Sequence, residues 1–306
     1  MPEFLRANVL HTGRWGRALG RRWQRLGRLG RIVHPGNNRV RLLVLLSVAL
    51  LLIFGIALAA SLYPQSAIQP TGGQRNLPPS WRFPLGTDWV GRDLAARTMK
   101  GMWLSLRIGA LTALVSTAVS VLLAVLATAG PRWLDRFVSW LVDATIGLPQ
   151  IVLAILIAFA VGGGARGVVL AVGLTLWPPL TRLLRAEILK LKEEPFVAMS
   201  RAQGHGSAWV VRHHLLPALT PHIIVGLAIM FPHAILHEST LTFLGFGVEP
   251  TTPSLGIILA EGMRYLANGQ WWAVLGPIAV LVTLATVLDA CGDLLRSLLA
   301  PVTRHQ

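Results

Sequence analysis

The chain has 306 residues, of which 53% are hydrophobic and only 13% are charged. Soluble domains carry about 25% charged residues, so this composition, with a mean hydropathy of +0.59, excludes an ordinary soluble protein and predicts a polytopic membrane protein. The net charge is +15, but ten of the 28 basic residues precede residue 42, where they favour a cytoplasmic anchor over nucleic-acid binding. The single cysteine, Cys291, excludes an intrachain disulfide and any site with two thiolates.

Residues 1–41 form the predicted basic cytoplasmic arm. Arginines recur there at helical intervals with tryptophan and leucine between them, a pattern that suits an amphipathic helix on an anionic membrane surface. Glycines interrupt the pattern at Gly13, Gly16, Gly20, Gly27 and Gly30. A disordered arm is therefore predicted, with the interfacial helix as the alternative. A cleavable signal peptide is disfavoured because both the basic region and the apolar run after it are too long.

Six apolar segments follow, and the first, 42–63, contains 22 residues without a charge. At 1.5 Å per residue this length crosses a hydrocarbon core of roughly 30 Å. The other five predicted spans are 104–129, 138–161, 168–184, 221–248 and 271–299. The predicted fold class is thus all-α, a polytopic membrane protein with six transmembrane helices. Prolines inside the third and fourth spans, Pro149 and Pro178 with Pro179, predict kinks where neighbouring helices can satisfy the freed carbonyls.

The excess of lysine and arginine in alternate connections places both termini in the cytoplasm. In this topology 64–103 is an extracytoplasmic loop, 104–299 is a five-helix core, and 300–306 is a tail. The polar connection 187–217 then faces the cytoplasm between the fourth and fifth spans. The loop 248–270 faces outside.

The cytoplasmic connection carries the signals of two short helices. Pro195 suits the first turn of a helix and Gly204 stops that helix. Ser207 can cap a second helix, and Pro217 is expected to end it. One alternative is an ordinary connector. A second alternative, a DNA-reading helix-turn-helix, is disfavoured because the flanking apolar segments pin the pair to a membrane surface.

Three stretches carry a resemblance to a known family. The run Ser200-Arg201-Ala202-Gln203-Gly204, with Leu216-Pro217 after it, resembles the cytoplasmic "EAA" coupling loop of ABC importer permeases. Residues 85–93 and 238–250 resemble segments of the second permease subunit of dipeptide, oligopeptide and nickel importers. The resemblance extends from about residue 42 to 301. One departure is Ala198, which stands where the loop has its name-giving glutamate.

This resemblance implies the ABC importer type I permease fold and a permease subunit for peptides or for nickel and other metal chelates. It implies no enzyme activity and no cofactor in this chain, which has no P-loop. The implied partners are a second homologous permease, two ATP-binding subunits, an extracytoplasmic solute-binding protein and membrane lipid, without nucleic acid. The implied location is the bacterial cytoplasmic membrane.

The residues implied in function fall into two groups. Those expected to couple the permease to the ATPase are Ala198, Ser200, Arg201, Ala202, Gly204, Ser207, Leu216 and Pro217. Those that match the two other family motifs are Gly86, Thr87, Asp88, Gly91, Arg92, Asp93, Glu238, Gly245 and Gly247. Within the first motif, Asp88, Arg92 and Asp93 are expected to pair locally in a folded loop, with direct contact to a ligand or binding protein as the alternative.

Two rival functions start from other features. His233 and His237 lie one helical turn apart beside Glu238, so a metalloenzyme within the membrane is one rival. No third ligand is evident and His-Glu-x-x-His is absent, so no metal site is predicted. Glu238 is costly without a partner in hydrocarbon, so a partner or a polar pathway is expected. A self-sufficient secondary transporter is the other rival, although no inverted repeat is visible.

Overall fold

The computed structural model describes residues 38–62, 68–70 and 75–299. The first 37 residues of the predicted arm and the predicted tail 300–306 lie outside the described residues. Contacts divide the chain into two units, 1–45 and 46–306, and every helix from α2 onward lies in the second. The helices are α1 Asn38–Leu62, α2 Leu94–Ala129, α3 Arg132–Gly147, α4 Gln150–Ala160, α5 Gly164–Glu193, α6 Pro195–Ala202, α7 Ser207–Val210, α8 Leu216–Phe243, α9 Leu255–Leu266 and α10 Trp272–Leu299.

The described structure is helical, with a single isolated bridge between Thr87 and Asp93, so the predicted all-α class is confirmed. Within the described residues, four helical runs are long and apolar enough to span a membrane: α2, α5, the continuous run Ser207–Phe243 and α10. Helices α3 and α4 together make a fifth candidate, bent by 101°. The predicted first span lies within α1 apart from residue 63, which is outside the described residues, and the count of six spans stays a prediction.

The third predicted span is where the structure departs most from a simple transmembrane helix. It consists of two helices, α3 and α4, that meet at Leu148 and Pro149 rather than of one kinked helix. The ring of Pro149 excludes Leu148 from the α region, and Leu148 accordingly has an extended ψ of 145°. The second span also differs, because α2 begins at Leu94 and not at residue 104.

Helix α5, by contrast, passes through Pro178 and Pro179 without a break. Two prolines leave the carbonyls of Leu174 and Thr175 without their usual helical donors. The indole Nε1 of Trp177 donates to the Leu174 carbonyl at 3.0 Å, and the amide of Gln150 donates to the Thr175 carbonyl at 3.1 Å. These side chains replace the lost backbone bonds, which explains how the helix continues.

The core lies between α2, α5 and α8, with α10 packed on α8. Small residues let these helices approach closely, as is common where helices pack inside a membrane. At Gly226 of α8, for example, an added Cβ atom would lie 2.5 Å from a methyl carbon of Leu180 in α5. The segment before α2 and helix α9 cover one end of the bundle through Leu255 and Ile258, both buried. The two ends of the bundle therefore carry the two groups of predicted functional residues.

Candidate functional site

The segment between α5 and α8 begins as the sequence predicts. Pro195 occupies the first turn of α6, which ends at Ala202. Gly204 follows with φ of +88°, in the left-handed region that favours glycine. The backbone N–H of Gly204 donates to the Arg201 carbonyl at 2.9 Å, and that of His205 donates to the Ser200 carbonyl at 3.3 Å. Gly204 therefore closes α6 and turns the chain toward α7.

The second half of the segment differs from the prediction at both ends. Gly206, not Ser207, occupies the N-cap of α7, and no side chain caps this helix. Pro217 does not end the helix, because α7 continues through a π-helical turn, Val211–Leu215, directly into α8. In that turn the N–H of Leu216 donates to the carbonyl of Val211, five residues back. The wider turn accommodates the Pro217 ring. The second predicted coupling helix and the fifth span therefore form one continuous helix.

The inner face of this segment is fastened to the membrane-spanning helices by apolar packing. Val197 of α6, Val210 of α7 and Leu215 of the π turn are at most 3% exposed. They form one cluster with buried leucine and isoleucine side chains of α5 and α8, namely Leu184, Ile188 and Leu219. Helix α6 is therefore joined to α5 and α8 by one close-packed cluster.

The outer face of α6 and α7 is exposed and rich in apolar side chains. Phe196, Met199 and Trp209 are 42%, 64% and 37% exposed. Of the predicted coupling residues, those exposed are Ala198, Arg201, Ala202, Gly204, Ser207 and Pro217, while Ser200 is buried and Leu216 is half-buried. Exposed apolar surface rimmed by polar residues marks interaction sites. This surface, called the outer face below, is a candidate docking site.

Sequence reasoning missed an aromatic stack that supports the outer face. The rings of His205 and His213 flank the indole of Trp209, with centroid distances of 3.7 and 4.4 Å and interplanar angles of 17° and 20°. The His214 ring contacts the edge of both Trp209 and Phe196. The spacing of residues 205, 209 and 213, one helical turn apart, was the signal available in the sequence. The stack links the turn at Gly204 to the start of the continuous helix Ser207–Phe243.

At the opposite end of the bundle, the predicted local pair of Asp88 and Arg92 is present, with Arg92 Nε 2.6 Å from Asp88 Oδ2. It belongs to a larger cluster that sequence reasoning missed. Arg97 Nη1 lies 2.6 Å from both Asp88 Oδ2 and Glu261 Oε2, and its side chain is only 3% exposed. The cluster therefore ties the first loop and α2 to α9. Its partner Glu261 is 164 residues from Arg97, so no local pattern indicates the contact.

Asp93, which was expected in this ion-pair group, has a different role. Its carboxylate accepts a hydrogen bond from the Ala95 N–H at 2.8 Å and caps the N-terminus of α2. Partial burial raises the pKa of this carboxyl, and hydrogen bonds from the backbone of Ala95 and Ala96 oppose that rise. The cap explains why α2 begins as early as Leu94.

The other residues of the first motif shape the loop. Thr87 is buried and its Oγ1 accepts a hydrogen bond from the Leu77 N–H at 2.8 Å. Gly86 and Gly91 have φ of +76° and +85°. At Gly86 a Cβ atom would also lie 2.4 Å from the Leu77 carbonyl oxygen, so both conformation and space require glycine there.

The second family motif forms a close turn at the end of α8. Glu238 is fully buried and accepts hydrogen bonds from the hydroxyls of Ser239 at 3.2 Å and Thr242 at 3.1 Å. Within the described residues no cation pairs with Glu238, so its partners are hydroxyl groups. A Cβ atom at Gly247 would lie 2.0 Å from Thr242 Oγ1, and Gly245 has φ of +89°. The motif glycines thus let the chain fold back over the Glu238 network.

The histidine pair does not form part of that network. The Nδ1 atoms of His233 and His237 lie 2.9 Å from the carbonyl oxygens of Ile229 and His233, one turn earlier in the same helix. Glu238 is buried on another side of α8, whereas His233 is exposed. No group of three potential metal ligands occurs within the described part of the chain. The geometry gives no support to a metalloenzyme centred on these residues.

The fold defines a membrane protein with several spans. Its exposed segment, α6 and α7, packs against the membrane-spanning helices α5 and α8. Residues 116–304 match the family described as binding-protein-dependent transport system inner membrane component. This match covers more than half of the chain, which therefore belongs to that family, the permease subunits of ABC importers. The chain is a transport component and not an enzyme, and ATP hydrolysis lies with partner subunits.

Individual relatives agree with this assignment. A Brucella suis protein that carries the name of a peptide permease is 36% identical over 229 residues, covering 74% of this chain and 75% of that protein. The dipeptide transport system permease protein DppC of Bacillus subtilis is 30% identical over 257 residues, covering 84% and 80%. The inward-facing MetNI methionine ABC transporter superposes with a TM-score of 0.55 at 21% identity, covering 66% of this chain and 96% of that one. The last similarity supports the predicted permease fold.

Proposed function

We propose that this chain is the permease subunit of an ATP-driven importer for short peptides, and that the segment 187–217 couples it to the partner ATPases. The observation that carries the proposal is the two-sided character of α6. Its outer face exposes Phe196 and Met199 to a partner, and its inner face packs through Val197 against α5. ATP-driven movement of a docked partner would therefore reorient the spans.

The substrate follows from the relatives rather than from a feature of this chain. The two sequence relatives from Brucella suis and Bacillus subtilis carry names that refer to peptides or dipeptides, which supports peptides over nickel or other metal chelates, the second candidate substrate. The proposed assembly contains a second, homologous permease, two ATP-binding subunits and an extracytoplasmic solute-binding protein. Loading of the permease by that binding protein gives the direction of transport, which is inward.

Uptake by the reconstituted assembly tests this function. Proteoliposomes that contain both permeases, the ATPases and the binding protein are expected to accumulate a radiolabelled dipeptide only when ATP is supplied. Nickel-histidine under the same conditions is the matched comparison. Accumulation of nickel without peptide would replace the substrate assignment, and uptake that is independent of ATP would support a secondary transporter.

The proposed orientation places both termini and the segment 187–217 in the cytoplasm. Single cysteines at Trp81, Thr251 and Ser207 in a Cys291→Ser background report on it, because all three positions are exposed. An impermeant thiol reagent applied to intact cells is expected to label positions 81 and 251, and position 207 only after permeabilisation. Thr87 would be a poor reporter because it is only 1% exposed. Labelling of position 207 in intact cells would contradict the orientation.

A further inference from the structure

A cavity of about 610 Å³ lies between α5, α8 and the end of α10. Its walls are largely apolar and include Leu183, Val225 and Met230. Sites for small molecules have volumes of roughly 300–1,000 Å³ and mostly apolar walls with a few polar groups. The cavity is at the end of the bundle that carries the coupling segment, because its lining includes Lys190, three residues before α5 ends at Glu193.

Charged groups of both signs line this cavity. Glu187 Oε2 lies 3.1 Å from Lys190 Nζ, and Glu187 Oε1 lies 3.9 Å from His222 Nε2. Arg296 of α10 also lines the cavity and makes no ion pair with any other described residue. The Nδ1 atom of His222 is buried and has no hydrogen-bond partner in the described part of the chain. Nε2, the ring nitrogen on the Glu187 side, is therefore the His222 atom assigned to the cavity.

The arrangement of charge selects among ligand classes. A short peptide carries an ammonium group at one end, a carboxylate at the other and apolar side chains between them. Glu187 is complementary to the ammonium group, and Arg296, on another helix, is complementary to the carboxylate, while Lys190 pairs with Glu187. A phospholipid with an anionic headgroup would bring its phosphate next to the Glu187 carboxylate, a like-charge contact that costs affinity. The mixed charges therefore favour a zwitterion over an anionic lipid.

We propose that this cavity forms the part of the solute path next to the coupling segment and that it binds the two charged ends of a short peptide. The inference rests on the proposed function and adds the residues that contact the solute. Glu187 binds the ammonium end and Arg296 binds the carboxylate end, and the apolar walls accept the side chains without selecting one sequence.

Photo-crosslinking during transport tests the proposal directly. The photoreactive amino acid p-benzoylphenylalanine replaces Val225, which lines the cavity, and in a control variant it replaces the adjacent Ile224, which is 42% exposed and outside the cavity lining. Each complete complex is reconstituted with its binding protein, a radiolabelled dipeptide and ATP, and is then irradiated. We expect a peptide adduct at position 225 that is lost without ATP, and no peptide adduct at position 224. Ile229, another lining residue, replaces Val225 if that variant does not assemble.

The identity of the adduct decides between occupants. Mass spectrometry that finds only phospholipid or only the second permease at positions 225 and 229, while uptake continues, would overturn the proposal. An absence of any adduct during continued uptake would overturn it as well. Glu187→Gln provides the charge test, since it is expected to reduce the peptide adduct at 225. Uptake by the unsubstituted complex is measured first, so failure of the proposed function is seen separately as an absence of uptake.

Discussion

Gly204→Val is expected to abolish solute-stimulated ATP hydrolysis by the assembled importer while the membrane-spanning helices insert normally. Gly204 has φ of +88°, and no atom of the described residues lies within 4 Å of a Cβ atom built on it. The penalty is therefore one of backbone conformation and not of space. A left-handed conformation costs a residue with a side chain about 1 kcal/mol, and a β-branched residue more. The valine would shift the turn and separate α6 from the Trp209 stack.

Gly206 supplies a matched control two residues away. It also has free space around a Cβ atom, but its φ of −72° and ψ of 165° are extended values that valine adopts readily. Gly206→Val should therefore retain coupling, and Gly204→Asn should retain most of it because asparagine tolerates the left-handed region. The measurements are co-purification of the ATPases and solute-stimulated hydrolysis. If Gly204→Val retains wild-type co-purification and wild-type hydrolysis, the segment 187–217 is an ordinary connector.

Arg97→Met is expected to cost about 3 kcal/mol in stability, the lower end of the range for removing one partner of a buried ion pair. The Arg97 and Asp88 side chains are only 3% and 5% exposed, and Arg97 also binds Glu261. Methionine keeps the apolar stem but leaves the buried Asp88 carboxylate with Arg92 as its one ion-pair partner among the described residues. We expect a weaker attachment of the first loop to α9, held by the remaining 3.4 Å contact of Arg92 Nη2 with Glu261 Oε2, and a lower unfolding midpoint of the purified permease.

Arg182→Met is the comparison at the surface. Arg182 pairs with Asp143, and these side chains are 57% and 68% exposed, so the expected cost is below about 1 kcal/mol. Adding Asp88→Asn to Arg97→Met should cost less than the sum of the two single changes, because the residues share one interaction. Equal unfolding midpoints for Arg97→Met and Arg182→Met would show that the buried cluster contributes no more to stability than an exposed ion pair.

Local chemistry explains the features that the sequence predicted correctly. Pro195 at a helix start, Gly204 at a turn and the pairing of Asp88 with Arg92 all depend on neighbours within about one helical turn. The apolar composition likewise predicted an all-helical membrane protein, because only internally bonded backbone is stable in lipid. The docking function of the segment 187–217 remains a prediction.

Tertiary structure decided the rest. Pro149 breaks a predicted span and Pro217 does not break a helix, because Leu148 adopts an extended conformation in one case and a π turn widens the backbone in the other. Proline alone leaves both outcomes open. The contact of Arg97 with Glu261 and the cavity beside Glu187 join segments far apart in the chain. The sequence by itself therefore determined the class, the turns and the local pairs, whereas helix packing decided which distant charges meet, since long-range contacts depend on the whole bundle.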